Sequence, residues 1–213
     1  FLHDALPIYI ETSPSLGYVW TAYDANVLKV VEQSKIICAA WQWLVEDKIT
    51  CRALSDYSGY KAGKLDDAKL VKELWEVLDE ADVVAAHNGQ SFDIKKINAR
   101  FIAHGLSAPS TYKVIDTLLV SRKHFRFDNN SLDQLGQYLG EGQKAPTGGF
   151  ALWEGCMKGD KQSWLRMKVY NSQDITLLKN VYMRLRPFIT DHPNLNVINK
   201  AKGGAVFDGA CPT

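Results

Sequence analysis

The feature that most constrains the fold is a change of hydrophobic period near residue 66. Ahead of it, apolar residues come in short runs rich in aromatic and β-branched side chains, as at 17–23 and 35–43, the composition of strands. A third strand is expected over 48–54, and Tyr9-Ile10-Glu11-Thr12 reads as the end of a first one. Beyond residue 66, Leu70, Val71, Leu74, Val77 and Leu78 fall at helical spacing, with Asp66 or Asp67 available as a cap. Residues 82–87 are apolar through their middle, like a strand covered on both faces. The turn Asn88-Gly89 follows, and a helix is expected over 91–104, stopped by Gly105. Val114-Ile115 gives another short strand before a helix starting near Asp116-Thr117. Ser131 caps a short helix ended by Gly140, 140–149 reads as flexible, and a long helical pattern covers 161–185, stopped by Pro187. Strands first and strand–helix alternation afterwards predict a mixed α/β sheet with helices on its faces. Trp41, Trp43, Trp75 and Trp164 are read as core rather than as stacking surfaces.

Length and composition bound this reading without adding chemistry. At 213 residues, 46% hydrophobic and 23% charged, the chain fits one soluble domain whose core needs no disulfides. A net charge of +1 excludes a global basic field, so nucleic-acid binding would need a local patch. No apolar run reaches the roughly 20 residues that span a bilayer, and no secretory pattern opens the chain. Four scattered cysteines, Cys38, Cys51, Cys156 and Cys211, without a CxxC pair predict reduced thiols and a cytoplasmic protein away from membranes.

Three acidic positions stand at the ends of elements or on the late helix: Glu11, Asp93 and Asp174. Positions 9 and 11 share one face of a strand, and Tyr170 and Asp174 share one face of a helix. Carboxylates converging from a strand end, a helix start and a late helix would suit hard divalent cations, which keep waters and phosphate oxygens as further ligands.

Asn88-x-x-x-Phe92-Asp93 and Tyr170-x-x-x-Asp174 resemble the second and third motifs of the DEDDy branch of DnaQ-like exonucleases, to which the proofreading domains of family B DNA polymerases belong. Ile10-Glu11-Thr12 is similar to the end of the first motif, Asp-Ile-Glu-Thr. The likeness covers residues 9–190, with the motifs in order. It implies a ribonuclease-H-like mixed sheet flanked by helices and a 3′→5′ exonuclease acting on the 3′ end of a single strand, DNA before RNA. It also implies two divalent cations, Mg²⁺ or Mn²⁺, held by Glu11, Asp93 and Asp174. Tyr170 would orient the attacking water, Thr12 and Phe92 would meet the substrate end, and Asn88 would support the second motif or that end. A DNA polymerase or a replication and repair assembly is the partner implied. Arg122, Lys123, His124 and Arg126, interleaved with Phe125 and Phe127, form the densest set of candidate phosphate contacts. Lys95, Lys96 and Arg100 read equally as a solvated helix face. His87 is expected to satisfy a local hydrogen bond, and Asp116 to cap a helix. An RNA-trimming enzyme, an endonuclease of the same fold and an inactive strand-binding module remain alternatives.

The pattern departs at one position: Tyr9 stands where the resemblance requires an aspartate that bridges both cations. Ala5-Leu6-Pro7-Ile8 back-translates as GCT CTT CCG ATC, the end of a common sequencing adapter whose next base is T. Overwriting the first base of an aspartate codon with T gives tyrosine. Residues 1–8 are therefore read as adapter-derived, 9–190 as the exonuclease domain, and 191–213 as a tail. Asp4 is no substitute, since Pro7 lies between. Both ends are expected to be cut, and Cys211-Pro212-Thr213 reads either as an ordinary tail or as the start of a zinc knuckle.

Overall fold

The computed structural model describes residues 5–21, 23 and 26–193; Asp4, Ala22 and the tail cysteine Cys211 lie outside the described residues. Its centre is a five-stranded sheet of β1 (Leu6–Thr12), β4 (Ile36–Trp41), β5 (Thr50–Ala53), β6 (Val83–Ala86) and β7 (Lys113–Asp116), in the order β5-β4-β1-β6-β7. The β5-β4-β1 half is antiparallel, and β1-β6-β7 is parallel. Connections without an α-helix build the first half and helical crossovers the second, as expected of each pairing type. Residues 17–23 do not form one strand. The chain there makes β2 (Leu16–Tyr18), which pairs with β3 (Lys29–Glu32) in a separate two-stranded sheet.

Among the described residues six α-helices flank the sheet: α1 (Ala68–Glu80), α2 (Asp93–Ala103), α3 (Thr117–His124), α4 (Leu132–Leu139), α5 (Ala151–Lys158) and α6 (Lys161–Leu185). Helix α1 buries the five residues that its spacing selects. Helix α6 lies across β1, β4, β5 and β6 and carries α3, α4 and α5 on its flank. Trp41, Trp43 and Trp164 are core residues, whereas Trp75 is only half-buried and donates its indole N–H to the Ser107 carbonyl at 2.8 Å. Ala5, Leu6 and Ile8 are fully buried, so the segment read as adapter-derived supplies the apolar residues this strand position demands. Cys38, Cys51 and Cys156 carry free thiols.

Asp67 does not cap α1 with its side chain; Asp66 Oδ1 accepts the Ala68 N–H instead, at 3.1 Å. The fully buried Asp67 carboxylate accepts from Arg100 Nε at 2.8 Å, from Arg100 Nη2 at 2.6 Å and from the Ile36 N–H at 3.0 Å, with His104 Nε2 at 2.8 Å. One acid thus ties the start of β4 to α2. Burial alone would raise its pKa, but these donors hold it below the ordinary carboxylate value. That stability is present above the ordinary value and lost as pH falls through the lowered one. Asp67→Ala strands the Arg100 cation and is expected to cost about 3–5 kcal/mol in urea denaturation. A loss below about 1 kcal/mol would show that the clip holds nothing together.

Candidate active site

The three acids come from separate elements, and β1 is their common ground. Its pleat turns Tyr9 and Glu11 to one side, where α6 brings Tyr170 and Asp174 one turn apart. Asp93 opens α2, and its Oδ1 accepts the Ile10 N–H at 3.1 Å, which locks the helix start to the middle of β1. The approach depends on the turn before it. Asn88 takes a left-handed φ of 62°, a conformation asparagine tolerates. A Cβ on Gly89 would lie 2.2 Å from that of Ala86, so the turn closes only around glycine. Asp116 caps α3 through the Leu118 N–H at 3.0 Å, as expected of it. It also accepts the N–H groups of Asn88 at 2.9 Å and Gln90 at 3.1 Å, so it holds the turn that delivers Asp93. His87 makes the expected local hydrogen bond, to Thr117 Oγ1 at 2.9 Å. Burial pushes its pKa down to about 4, which leaves the ring neutral.

Lys144 is the residue sequence reasoning missed. It sits in the irregular stretch between α4 and α5, and its Nζ reaches Tyr9 Oη at 2.8 Å, Tyr170 Oη at 3.3 Å and Asp174 Oδ2 at 2.7 Å. Burial pulls its pKa down, yet Asp174 and Tyr170 outweigh that and hold it above the ordinary lysine value. Asp174 is fully buried, and its other oxygen, Oδ1, has no hydrogen-bond partner among the described residues.

The acids repel one another inside this partly dry site. Burial, then Asp174, raises Glu11 to about 7 against the pull of Lys144. Burial raises Asp93 to about 6 although the Ile10 amide opposes it. Asp174 is raised too, by burial, with Lys144 pulling it back. The Tyr9 and Tyr170 phenols are pushed far up by burial and neighbouring carboxylates, so both stay neutral. Among the described residues, no group of three His, Cys, Asp or Glu side chains is arranged to hold a metal ion as it stands; Tyr9 sits beside the acids and Lys144 Nζ is 2.7 Å from Asp174 Oδ2.

A groove of about 710 Å³ opens over this cluster, lined among others by Tyr9, Glu11, Asn88, Phe92, Asp93 and Arg122. Of the candidate phosphate contacts, Arg122 faces this groove, whereas Lys123 and His124 line a separate small cleft beside Lys113 and Asp191. Consecutive residues of a helix point about 100° apart, so Arg122 and Lys123 cannot share a target. Arg126 lies beyond the end of α3 and is exposed, and Thr12 is half-buried at the end of β1.

The sequence profile of the family described as RNase_H superfamily matches residues 44–186. Among solved structures, the family B DNA polymerase from the hyperthermophilic archaeon Pyrobaculum calidifontis shares the fold at a TM-score of 0.60 and 15% identity, over 86% of this chain. The chain spans about a quarter of that polymerase's length, the likeness covering 24% of it. No curated protein matches.

Proposed function

The chain belongs to the RNase H superfamily, and from that premise we propose that it is a metal-dependent 3′→5′ exonuclease acting on single-stranded nucleic acid, DNA before RNA. The observation that carries this reading is that Glu11 and Asp93 line one open groove with Lys144, whose Nζ holds Asp174 behind it, and that burial raises the pKa of all three acids. Such a cluster stores repulsion that a divalent cation relieves, and the unpartnered Oδ1 of Asp174 fits a hard cation's preference for anionic oxygen. Glu11, Asp93 and Asp174 would hold the cations. Tyr9 does not fit, because a neutral phenol offers no anionic ligand. We therefore take aspartate to be the functional residue at this position, with residues 1–8 foreign to the domain.

Divalent cations bound there would activate a water and stabilise the leaving 3′ oxygen. The side chains do the positioning. Neutral Tyr170 orients the water through its hydroxyl without competing as a ligand. Lys144 brings a cation to the oxygens of the scissile phosphate, Arg122 takes a neighbouring phosphate, and half-exposed Phe92 packs against the terminal base. Release of nucleoside monophosphates from a free 3′ end, but not from an end blocked by a 3′ phosphate, tests the reaction in the Tyr9→Asp variant. Internal cuts in a circular strand would point to an endonuclease instead.

The raised acids give a prediction for the protein as it stands. Glu11 and Asp93 titrate above their ordinary values, so their stabilising contribution is present at low pH and lost as pH rises toward about 7. In chelator, the melting temperature is expected to fall between about pH 5 and 7. Millimolar Mn²⁺ at pH 7.5 should restore it, since the cation binds the ionised acids. A profile that is flat with pH and indifferent to Mn²⁺ would count against a cation site.

A further inference from the structure

The hairpin of β2 and β3 has no role in the site just described, yet it exposes a run of large apolar side chains. Tyr18 is 64% and Trp20 85% exposed, and Val19, Val27, Leu28, Val30 and Val31 are open to solvent beside them. A lone two-stranded hairpin is marginal by itself, and two side-chain hydrogen bonds pin this one at its root. There Ser13 Oγ accepts the Lys35 N–H at 3.0 Å and Ser15 Oγ accepts the Ser34 N–H at 3.2 Å. The root is the end of β1 that carries Glu11, so the hairpin leaves the sheet at the edge of the groove. Tyr18 lies within seven residues of Glu11, a reach of at most about 25 Å.

We propose that this hairpin is a stacking platform for the unpaired strand as it leaves the groove, with Tyr18 and Trp20 taking bases and Lys29 taking a phosphate. This rests on the exonuclease reading above and adds a second contact region to it. The register favours a strand over an apolar partner, because Lys29 stands directly opposite Tyr18 at the outer end of the hairpin, whereas its acid, Glu32, stands opposite Leu16 at the root. Aromatic faces interleaved with cations suit single strands without sequence preference.

The test is binding of fluorescent oligothymidylates in chelator, so that nothing is cut, by the chain as it exists and by the double variant Tyr18→Ala/Trp20→Ala. One probe of about five nucleotides fills the groove alone, and one of about twenty also reaches the hairpin. The unaltered protein should bind the long probe at least about tenfold more tightly, and the variant should lose that gain while its affinity for the short probe stays unchanged. Both side chains are exposed, so the variant's melting temperature should match the parent's. Equal loss on both probes, or no loss on either, overturns the platform. So does a variant whose sedimentation shows lost self-association while strand binding persists. Failure of the unaltered protein to bind either probe sinks the exonuclease reading itself, whereas short-probe binding with no effect of the variant sinks only the platform.

Discussion

Tyr9→Asp is expected to raise metal-dependent shortening of a single strand by at least about 100-fold, as one further anionic ligand for the cations would supply several kcal/mol of charge stabilisation. As it stands, Tyr9 closes the site from two sides. Its phenol is held neutral by burial, and its hydroxyl accepts from the Lys144 ammonium that also neutralises Asp174. A carboxylate at this strand position would face the same side as Glu11. It would sharpen the repulsion that cations relieve and draw Lys144 away from Asp174. Initial rates in Mn²⁺ beside a calorimetric Mn²⁺ titration check both halves. A folded variant that gains neither cation affinity nor rate would favour a strand-binding module.

Asp93→Asn in the Tyr9→Asp background should abolish at least about 1,000-fold of the activity and yet make the metal-free protein more stable. Asparagine keeps the oxygen that accepts the Ile10 N–H. It removes a charge whose pKa is raised to about 6 by burial, and a raised acid costs stability once ionised. At pH 7.5 the gain should be about 2 kcal/mol, within the shift's order of magnitude. Thermal denaturation in chelator reads it. A variant both inactive and less stable would mean that Asp93 serves the fold rather than the chemistry.

The sequence carried the regular elements further than the irregular ones. Helix α1 shows its five buried positions through spacing alone, and the caps at Ser131 and Asp116 and the stop at Gly105 follow from local chemistry that needs no partner. Helix α5 escaped because it is eight residues long, lies between glycines and buries only Leu152 and Cys156, too few for a period to show. Residues 17–23 read as one strand because their composition is β-prone throughout, and composition marks neither where pairing stops nor that β3 returns against β2. Within the candidate site, Glu11, Asp93, Tyr170 and Asp174 stood out as candidates because each sits at a fixed offset inside a short motif. Lys144 was not. It lies 135 residues from Tyr9 and 30 from Asp174, in a stretch without periodicity, and only the closed fold brings it to them. The second role of Asp116 was hidden in the same way, since the N–H groups it holds belong to a turn 26 and 28 residues earlier.

The central claim is the polarity and metal dependence of the reaction, and one gel reads both. A single strand labelled at its 5′ end is incubated with the Tyr9→Asp variant in Mn²⁺, with and without Asp174→Asn, and with chelator as the blank. The account predicts a ladder shortening stepwise from the 3′ end, lost with Asp174→Asn and with chelator. Release of the label as a mononucleotide at the earliest times, or no cleavage by a folded protein, would contradict it.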